Sequence, residues 1–278
     1  MEENKKPNVW QEISLEGVLN VRDWGGIPLK DGRKVKPGAL IRAGRLSQMT
    51  DADKEILFDQ WKVTTILDLR NDLEVEEHPD PVQEGVKYVQ VPIFPGIASG
   101  ISKEDGGAMT MEEKLLHLAS RYSGGKASQL LQTMYPKMVT DDFCLQGIRE
   151  FFAQLAAHGE GALLWHCTSG KDRTGLTGAL LLYVLGASWE TILEEYLHTN
   201  HQIRDYREMI LDVLRKHEVD AETIGQVTIL ESVDAAYLEN CRKTIQEQHG
   251  TMEVFLEKVL GLTPEMCQCL REKYTISN

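Results

Sequence analysis

Residues 162–186 read ALLWHCTSGKDRTGLTGALLLYVLG. ALLWHC (162–167) is a short apolar run of the length of a buried strand. GLTGALLLYVLGAS (175–188) is apolar nearly all round at helical length, so it predicts a central, covered helix. The eight residues TSGKDRTG (168–175) make the turn between them. Cys167 therefore falls at the C-terminal end of a strand, the edge at which open α/β sheets bind ligands. Arg173 follows six residues later. The intervening backbone N–H groups can curl into a nest at a helix N-terminus, which suits a tetrahedral oxyanion. The same field favours a thiolate at Cys167. Arg173 offers a planar fork for two oxygens of that anion. Gly170 fits a position of close backbone approach or positive φ. Of the five cysteines (Cys144, Cys167, Cys241, Cys267 and Cys269), only Cys167 has an arginine at the sixth position after it.

The flanking sequence supplies the rest of a layered α/β chain. VTTILDLR (63–70) and KYVQVPIF (87–94) predict strands, the first β-branched and apolar, the second alternating. Asp31-Gly32 marks a hairpin turn. Thr50 with Asp53 three residues on predicts a capping box opening a helix through Ile56, Leu57 and Trp61. DFCLQGIREFFAQLAA (142–157) carries helical periodicity. From about 188 to 275 the chain reads as consecutive helices. Gly261 stops one of them, and Thr263-Pro264 opens the last. Residues 95–126 are rich in Gly and Ser around one amphipathic segment, MEEKLLHLASRY. An insert of that kind commonly covers a site. Strands alternating with helices imply a mostly parallel central sheet flanked by helices.

The chain has 278 residues, 42% hydrophobic and 26% charged, and this excludes disordered, collagen-like and coiled-coil classes. A net charge of −13 argues against a nucleic-acid partner. No apolar run approaches the roughly 18 residues of a spanning helix, and the charged start lacks the apolar core of a signal peptide, so the expected location is cytoplasmic. Five sparse cysteines suit a reducing compartment. Against the overall charge, residues 28–46 hold Lys30, Arg33, Lys34, Lys36, Arg42 and Arg45 with Asp31 as the single acid. That reversal can attract an anionic substrate, or it can be a solvated basic hairpin. His198 and His201, three apart near a helix end, lack a third metal ligand. Trp189 and Tyr196 are expected to pack in the helical layer.

HCTSGKDRTG (166–175) resembles the signature loop of cysteine-dependent phosphatases, in the form similar to bacterial atypical tyrosine and lipid phosphatases. Asn20-Val21-Arg22-Asp23-Trp24-Gly25-Gly26, Leu40-Ile41-Arg42-Ala43-Gly44 with Leu46-Ser47, Asp68-Leu69-Arg70 and the tail HGTMEVFLEKVLGLT resemble further segments of that family. The poorly matching part is about 95–133, a lid-like insert. The resemblance implies one phosphatase domain over 1–278 and no cofactor or metal. It implies hydrolysis of phosphomonoesters through a phosphocysteine. A phosphorylated protein or a phosphoinositide is the expected substrate, Lys171 and the basic stretch tilting slightly toward lipids or mixed specificity. Cys167 is then the nucleophile, and Arg173 with the N–H groups from Thr168, Ser169, Gly170 and Lys171 onward binds phosphate. Lys171 is a candidate for an additional phosphate contact. Thr174 is placed to hydrogen-bond the thiolate. No WPD tripeptide occurs, and the subfamily pattern gives the general-acid role to Asp172, with Asp80 in His78-Pro79-Asp80-Pro81 as the alternative. Arg22, Asp23, Asp68 and Arg70 are expected to brace the loop in a buried polar network, with His166 supporting it. A phosphate-binding pseudophosphatase and a rhodanese-like sulfur transferase are the competing classes.

Overall fold

The computed structural model describes residues 10–81, 83–95 and 110–277. The strands are β1 (Gln11–Glu12), β2 (Arg22–Asp23), β3 (Lys34–Val35), β4 (Leu40–Ala43), β5 (Val63–Asp68), β6 (Lys87–Gln90), β7 (Ala162–His166) and β8 (Thr275–Ile276). Six of them form one sheet in the order β1-β2-β4-β7-β5-β6, and β3 pairs with β8 in a second, two-stranded one. β4, β7, β5 and β6 run parallel, whereas β1, β2 and β4 pair antiparallel. This is the mostly parallel α/β sheet read from the sequence.

β7 is buried over its whole length and has a partner on each side. Its alternation feeds two cores. Leu163 and Trp165 join the larger cluster with Trp24, Leu67 and the helices below, while Ala162 and Leu164 join Ile41, Ala43, Leu57 and Ile66 on the other face. A strand covered on both faces carries no polar alternation, which is why its sequence is uniformly apolar.

The helices are α1 (Asp51–Lys54), α2 (Asp72–Glu77), α3 (Met111–Tyr122), α4 (Lys126–Met138), α5 (Asp142–Ala157), α6 (Asp172–Leu185), α7 (Trp189–Leu197), α8 (Thr199–Gln202), α9 (Arg204–Lys216), α10 (Ala221–Leu230), α11 (Ala235–His249), α12 (Met252–Val254) and α13 (Pro264–Tyr274). The Thr50–Asp53 capping box is present, and Thr263 caps α13 with Pro264 in its first turn. α1 widens into a π turn over Glu55–Gln60. α6 starts three residues before the expected position: its first turn, Asp172-Arg173-Thr174, is polar and carries no apolar periodicity. Gly186 closes α6 in the left-handed conformation, at φ 98°.

MEEKLLHLASRY is α3. Residues 96–109 of the lid-like insert lie outside the described residues, and its remainder forms α3 and most of α4. These helices pack on α9 and α10 around two small apolar clusters. Leu115, Leu214 and Val227 belong to one, Leu118, Tyr122 and Leu230 to the other. Among the described residues, no helix is long and apolar enough to cross a membrane.

Candidate active site

The chain leaves β7 at His166 and enters α6 at Asp172, so Cys167–Lys171 form a tight loop at the C-terminal edge of the parallel strands. Cys167 is buried beneath the surface of that edge. Gly170 has φ 66°, and a Cβ there would stand 2.4 Å from the Ala43 carbonyl oxygen. Only glycine fits the curl.

Two carbonyls of the loop are held from behind. Asn20, at φ 61°, donates through Nδ2 to the carbonyls of Ser169 (3.2 Å) and Gly170 (2.9 Å). Arg42 Nη2 donates to the same Gly170 carbonyl at 2.6 Å. With their carbonyls engaged there, the N–H groups of the loop are left for the opposite side, as an anion nest requires. Glu195 on α7 fixes this brace. Its carboxylate accepts from Arg22 Nε (2.8 Å), Arg42 Nη1 (2.7 Å) and Trp24 Nε1 (2.8 Å), all of them buried. Burial and the neighbouring Arg42 push the Arg22 guanidinium down to about 9, against the pull of Glu195. Asp23 does not belong to this brace. Successive strand residues face opposite sides, and its carboxylate instead accepts the Gly38 N–H at 3.0 Å.

A second brace supports the strand end. Asp68 takes Arg70 through Nε and Nη2 (2.6–3.0 Å) and Tyr88 Oη at 2.6 Å. Asp80 lies 2.9 Å from both Arg70 Nη2 and His166 Nε2 and accepts the Leu46 N–H at 3.0 Å. Burial disfavours charge on His166, but Asp68 and Asp80 outweigh it and hold the imidazole above its ordinary pKa. Asp80 is therefore a counter-ion to Arg70 and His166 beside the strand end. Asp68, Asp80 and His166 are spaced closely enough for a metal ion. The guanidinium of Arg70 already supplies the cation to both carboxylates, so this donor set does not suit a divalent ion.

Arg173 is clamped by Glu74, a residue sequence reasoning missed. Its two terminal nitrogens donate to the Glu74 oxygens at 2.6 and 2.7 Å, and Thr168 Oγ1 donates to the same carboxylate at 2.6 Å. Glu74 sits in the first turn of α2, in a capping box with Asn71. Burial opposes its charge, yet Arg173 and Thr168 hold the Glu74 carboxyl below its ordinary range. Among the described residues, buried Arg173 Nε has no hydrogen-bond partner, and neither has Thr174 Oγ1.

Asp172 is buried as well. Its Oδ1 accepts from Tyr135 Oη at 2.8 Å, and the Tyr135 hydroxyl lies 2.6 Å from that of Tyr196. Lys171, not Asp172, occupies the cap position of α6, so Asp172 is no helix cap. The Lys171 side chain departs from the expected phosphate contact. Its Nζ donates to the Leu230 carbonyl and lies 3.6 Å from Glu231, tying the loop to the end of α10.

The basic stretch disperses. Arg42 braces the loop from behind at the Gly170 carbonyl, Arg33 reaches the Thr275 carbonyl, Lys30 lies over the Tyr183 ring, and Arg45 stands beside the loop at Thr168 and Ser169. His198 pairs with Glu12 at 2.9 Å. Asn20 and Arg42 lay within segments whose resemblance was visible, but Glu74, Glu195 and Tyr135 carried no local signal.

The chain is 28% identical over 260 residues to the triple specificity protein phosphatase PtpB of Mycobacterium tuberculosis, covering 87% of this chain and 91% of the relative. It is 27% identical over 251 residues to a putative tyrosine-protein phosphatase of Cupriavidus necator, covering 90% and 84%. The crystal structure of P. aeruginosa TpbA aligns over 81% of this chain and 97% of that one, at 17% identity and a TM-score of 0.32. Residues 13–276 match the model of the tyrosine phosphatase family, and with Cys167 and Arg173 framing its anion loop the chain belongs to that family of cysteine-based phosphatases.

Proposed function

We propose that the protein hydrolyses phosphomonoesters, phosphotyrosine in protein foremost, with Cys167, Arg173 and Asp172 as catalytic residues. One observation carries the reading: a cysteine at the end of β7 shares a nest with an arginine that is held by Glu74 and has an unpartnered, buried Nε. A dianionic phosphate in the nest meets the loop N–H groups from Thr168 to Arg173 and the Arg173 fork. The Cys167 thiolate attacks phosphorus in line. The S–P bond forms as the ester P–O bond breaks, and Asp172 delivers its proton to the departing oxygen. Tyr135 occupies only Oδ1, which leaves Oδ2 for that transfer. Water then attacks phosphorus and Asp172 takes its proton. The S–P bond breaks and inorganic phosphate leaves. Thr174 Oγ1, buried without a partner, is placed to donate to the returning thiolate. The phosphotyrosine preference follows the family and the names of its relatives; the lipid alternative has lost the support of Lys171, whose side chain is tied to α10. Five free cysteines and the lack of a crossing helix among the described residues are consistent with a cytoplasmic enzyme.

The test is steady-state hydrolysis of p-nitrophenyl phosphate in EDTA by the wild type and by Cys167→Ser. Turnover that vanadate inhibits, and that Cys167→Ser abolishes, is the expected result. An inactive wild type would leave a pseudophosphatase. Thiosulfate turnover in its place would make the loop a sulfur carrier.

A further inference from the structure

Two consecutive residues of α7 reach the two halves of the site. Glu195 holds Arg22 and Arg42, and through Arg42 the Gly170 carbonyl of the nucleophile's loop. Tyr196 serves the other half. Its hydroxyl lies 2.6 Å from that of Tyr135, which donates to Asp172 Oδ1 at 2.8 Å. The Tyr196 ring belongs to the main core, as its sequence suggests, but its place there is specific. A Cβ on Gly175 would stand 2.7 Å from Cε2 and 2.8 Å from Cδ2 of that ring. The last glycine of HCTSGKDRTG thus lets Tyr196 lie against the backbone of α6.

Tyr135 is fixed from a third side, by α11. Its ring stacks on Tyr237, with centroids 5.0 Å apart. α4 ends just beyond it. The Val139 N–H goes to the Pro136 carbonyl, and the Tyr135 carbonyl accepts the Cys241 thiol at 3.2 Å instead.

The chain of hydroxyls has a direction. Both phenols are buried, and burial together with the charge of Asp172 holds each hydroxyl well above its ordinary pKa, so both keep their protons. A phenol has one proton to donate. Tyr135 gives its proton to Asp172 Oδ1, so toward Tyr196 it accepts, and Tyr196 is the donor. Among the described residues, the Tyr196 hydroxyl has no second hydrogen-bond partner. Reversing the chain, with the carboxyl proton on Oδ1, would leave the Tyr196 proton buried without an acceptor.

We propose that Tyr196 is a positioning residue for proton delivery: by donating to Tyr135 it fixes the direction of the Tyr196–Tyr135–Asp172 chain and confines the transferable proton to Asp172 Oδ2. That proton leaves Oδ2 for the departing ester oxygen as the P–O bond breaks, and the carboxylate left behind keeps the Tyr135 hydroxyl pointing at it. One turn of α7 thereby holds both the loop of the nucleophile and the acid. The assignment rests on the acid role proposed for Asp172 and deepens it.

The test compares kcat/KM, which reports the steps through P–O cleavage, for two substrates. 2-Phenylethyl phosphate has an alkoxide leaving group that needs the proton, and p-nitrophenyl phosphate has one that does not. The readout is the alkyl-to-aryl ratio in the wild type, Tyr196→Phe, Tyr135→Phe, the double variant and Asp172→Asn. Tyr196→Phe keeps the ring and is expected to lower the ratio about threefold, as suits one hydrogen bond acting at one remove. Inhibition by inorganic phosphate, which reads the nest alone, is expected to stay the same. Because Tyr196 acts through Tyr135, the double variant is expected to match Tyr135→Phe. An unchanged ratio in Tyr196→Phe, losses that multiply in the double variant, or weakened phosphate inhibition would overturn the proposal and leave Tyr196 a packing residue. Asp172→Asn separates the two ways to fail. If it lowers the ratio and Tyr196→Phe does not, the hydroxyl chain alone falls. If it slows both substrates alike, the acid role falls and takes the chain with it.

Discussion

The loop is held differently from below and from above. Below it, buried ions do the holding: Glu195 gathers Arg22 and Arg42, and Asp68 and Asp80 gather Arg70 and His166. Above it, α3, α9 and α10 rest on two small apolar clusters and α4 joins them to the main core, and these helices touch the loop through single tethers, Tyr135 to Asp172 and Lys171 to Leu230. Ion networks have steep geometric demands and tolerate one arrangement. Apolar clusters are non-directional and tolerate adjustment. On the proposed mechanism, the floor fixes where phosphate sits and the roof sets what the leaving group meets. Variants of the floor should therefore harm stability or every substrate alike, and variants of the roof should discriminate among substrates.

The largest effect is expected at Glu195. Glu195→Gln leaves two buried guanidiniums facing each other without a carboxylate, which costs about 3–5 kcal/mol in urea unfolding. Activity per folded molecule should fall too, because Arg42 loses the carboxylate that orients it toward the Gly170 carbonyl. A variant as stable as the wild type would mean that the floor is not held by its ions. Glu74→Gln comes next. Arg173 keeps its backbone place but loses its clamp, and kcat should fall about 10²-fold on aryl and alkyl phosphates equally, as expected for misplacement of a catalytic group. A substrate-dependent loss there would erase the distinction between floor and roof.

Tyr135→Phe tests the roof. Tyr135 is a positioning residue for Asp172, so its removal should slow an alkyl phosphate by about tenfold, part of the roughly 10²- to 10⁴-fold that a positioned acid supplies. p-Nitrophenyl phosphate, whose leaving group needs no proton, should hardly respond. Asp172→Asn should show the same discrimination, larger. Equal losses on both substrates would make Tyr135 a packing residue.

The contrast also explains what the sequence let through. The strand, loop and helix of the nucleophile are contiguous, so Cys167, Gly170 and Arg173 were legible within a dozen residues. The floor was half legible. Arg22, Arg42, Asp68 and Arg70 lay in recognisable segments, but other carboxylates are remote from the cations they hold: Glu195 is 153 residues from Arg42, and the Glu74 that clamps Arg173 is 99 residues from it. A single chain carries no record of pairing over such distances. Asp23 was misassigned for a local reason, since grouping it with Arg22 ignored the alternation of a strand. Lys171 was misassigned for a tertiary one, because α10 arrives about sixty residues later to take its ammonium. The roof was least legible. Amphipathic periodicity shows that α3 buries a face, but not which helix receives it.

The smallest expected effect belongs to His166 and is a slope with pH. Its folded pKa lies above the ordinary 6.5, because Asp68 and Asp80 outweigh the penalty of burial. The folded state thus binds more proton than the unfolded one just above that value, and unfolding free energy falls as pH rises. The contribution is complete below pH 6.5 and is lost as pH climbs through the folded pKa. His78, His158 and His198 are shifted the other way, chiefly by burial, and impose the opposite slope over lower pH. The quantity to measure is therefore the difference between wild type and His166→Gln in urea unfolding from pH 5.5 to 8.5. That difference should be greatest at the acid end and shrink toward the alkaline end. A difference that stays constant with pH would mean that folding leaves the His166 pKa unshifted, and one that grows toward alkaline pH would make His166 neutral in the fold.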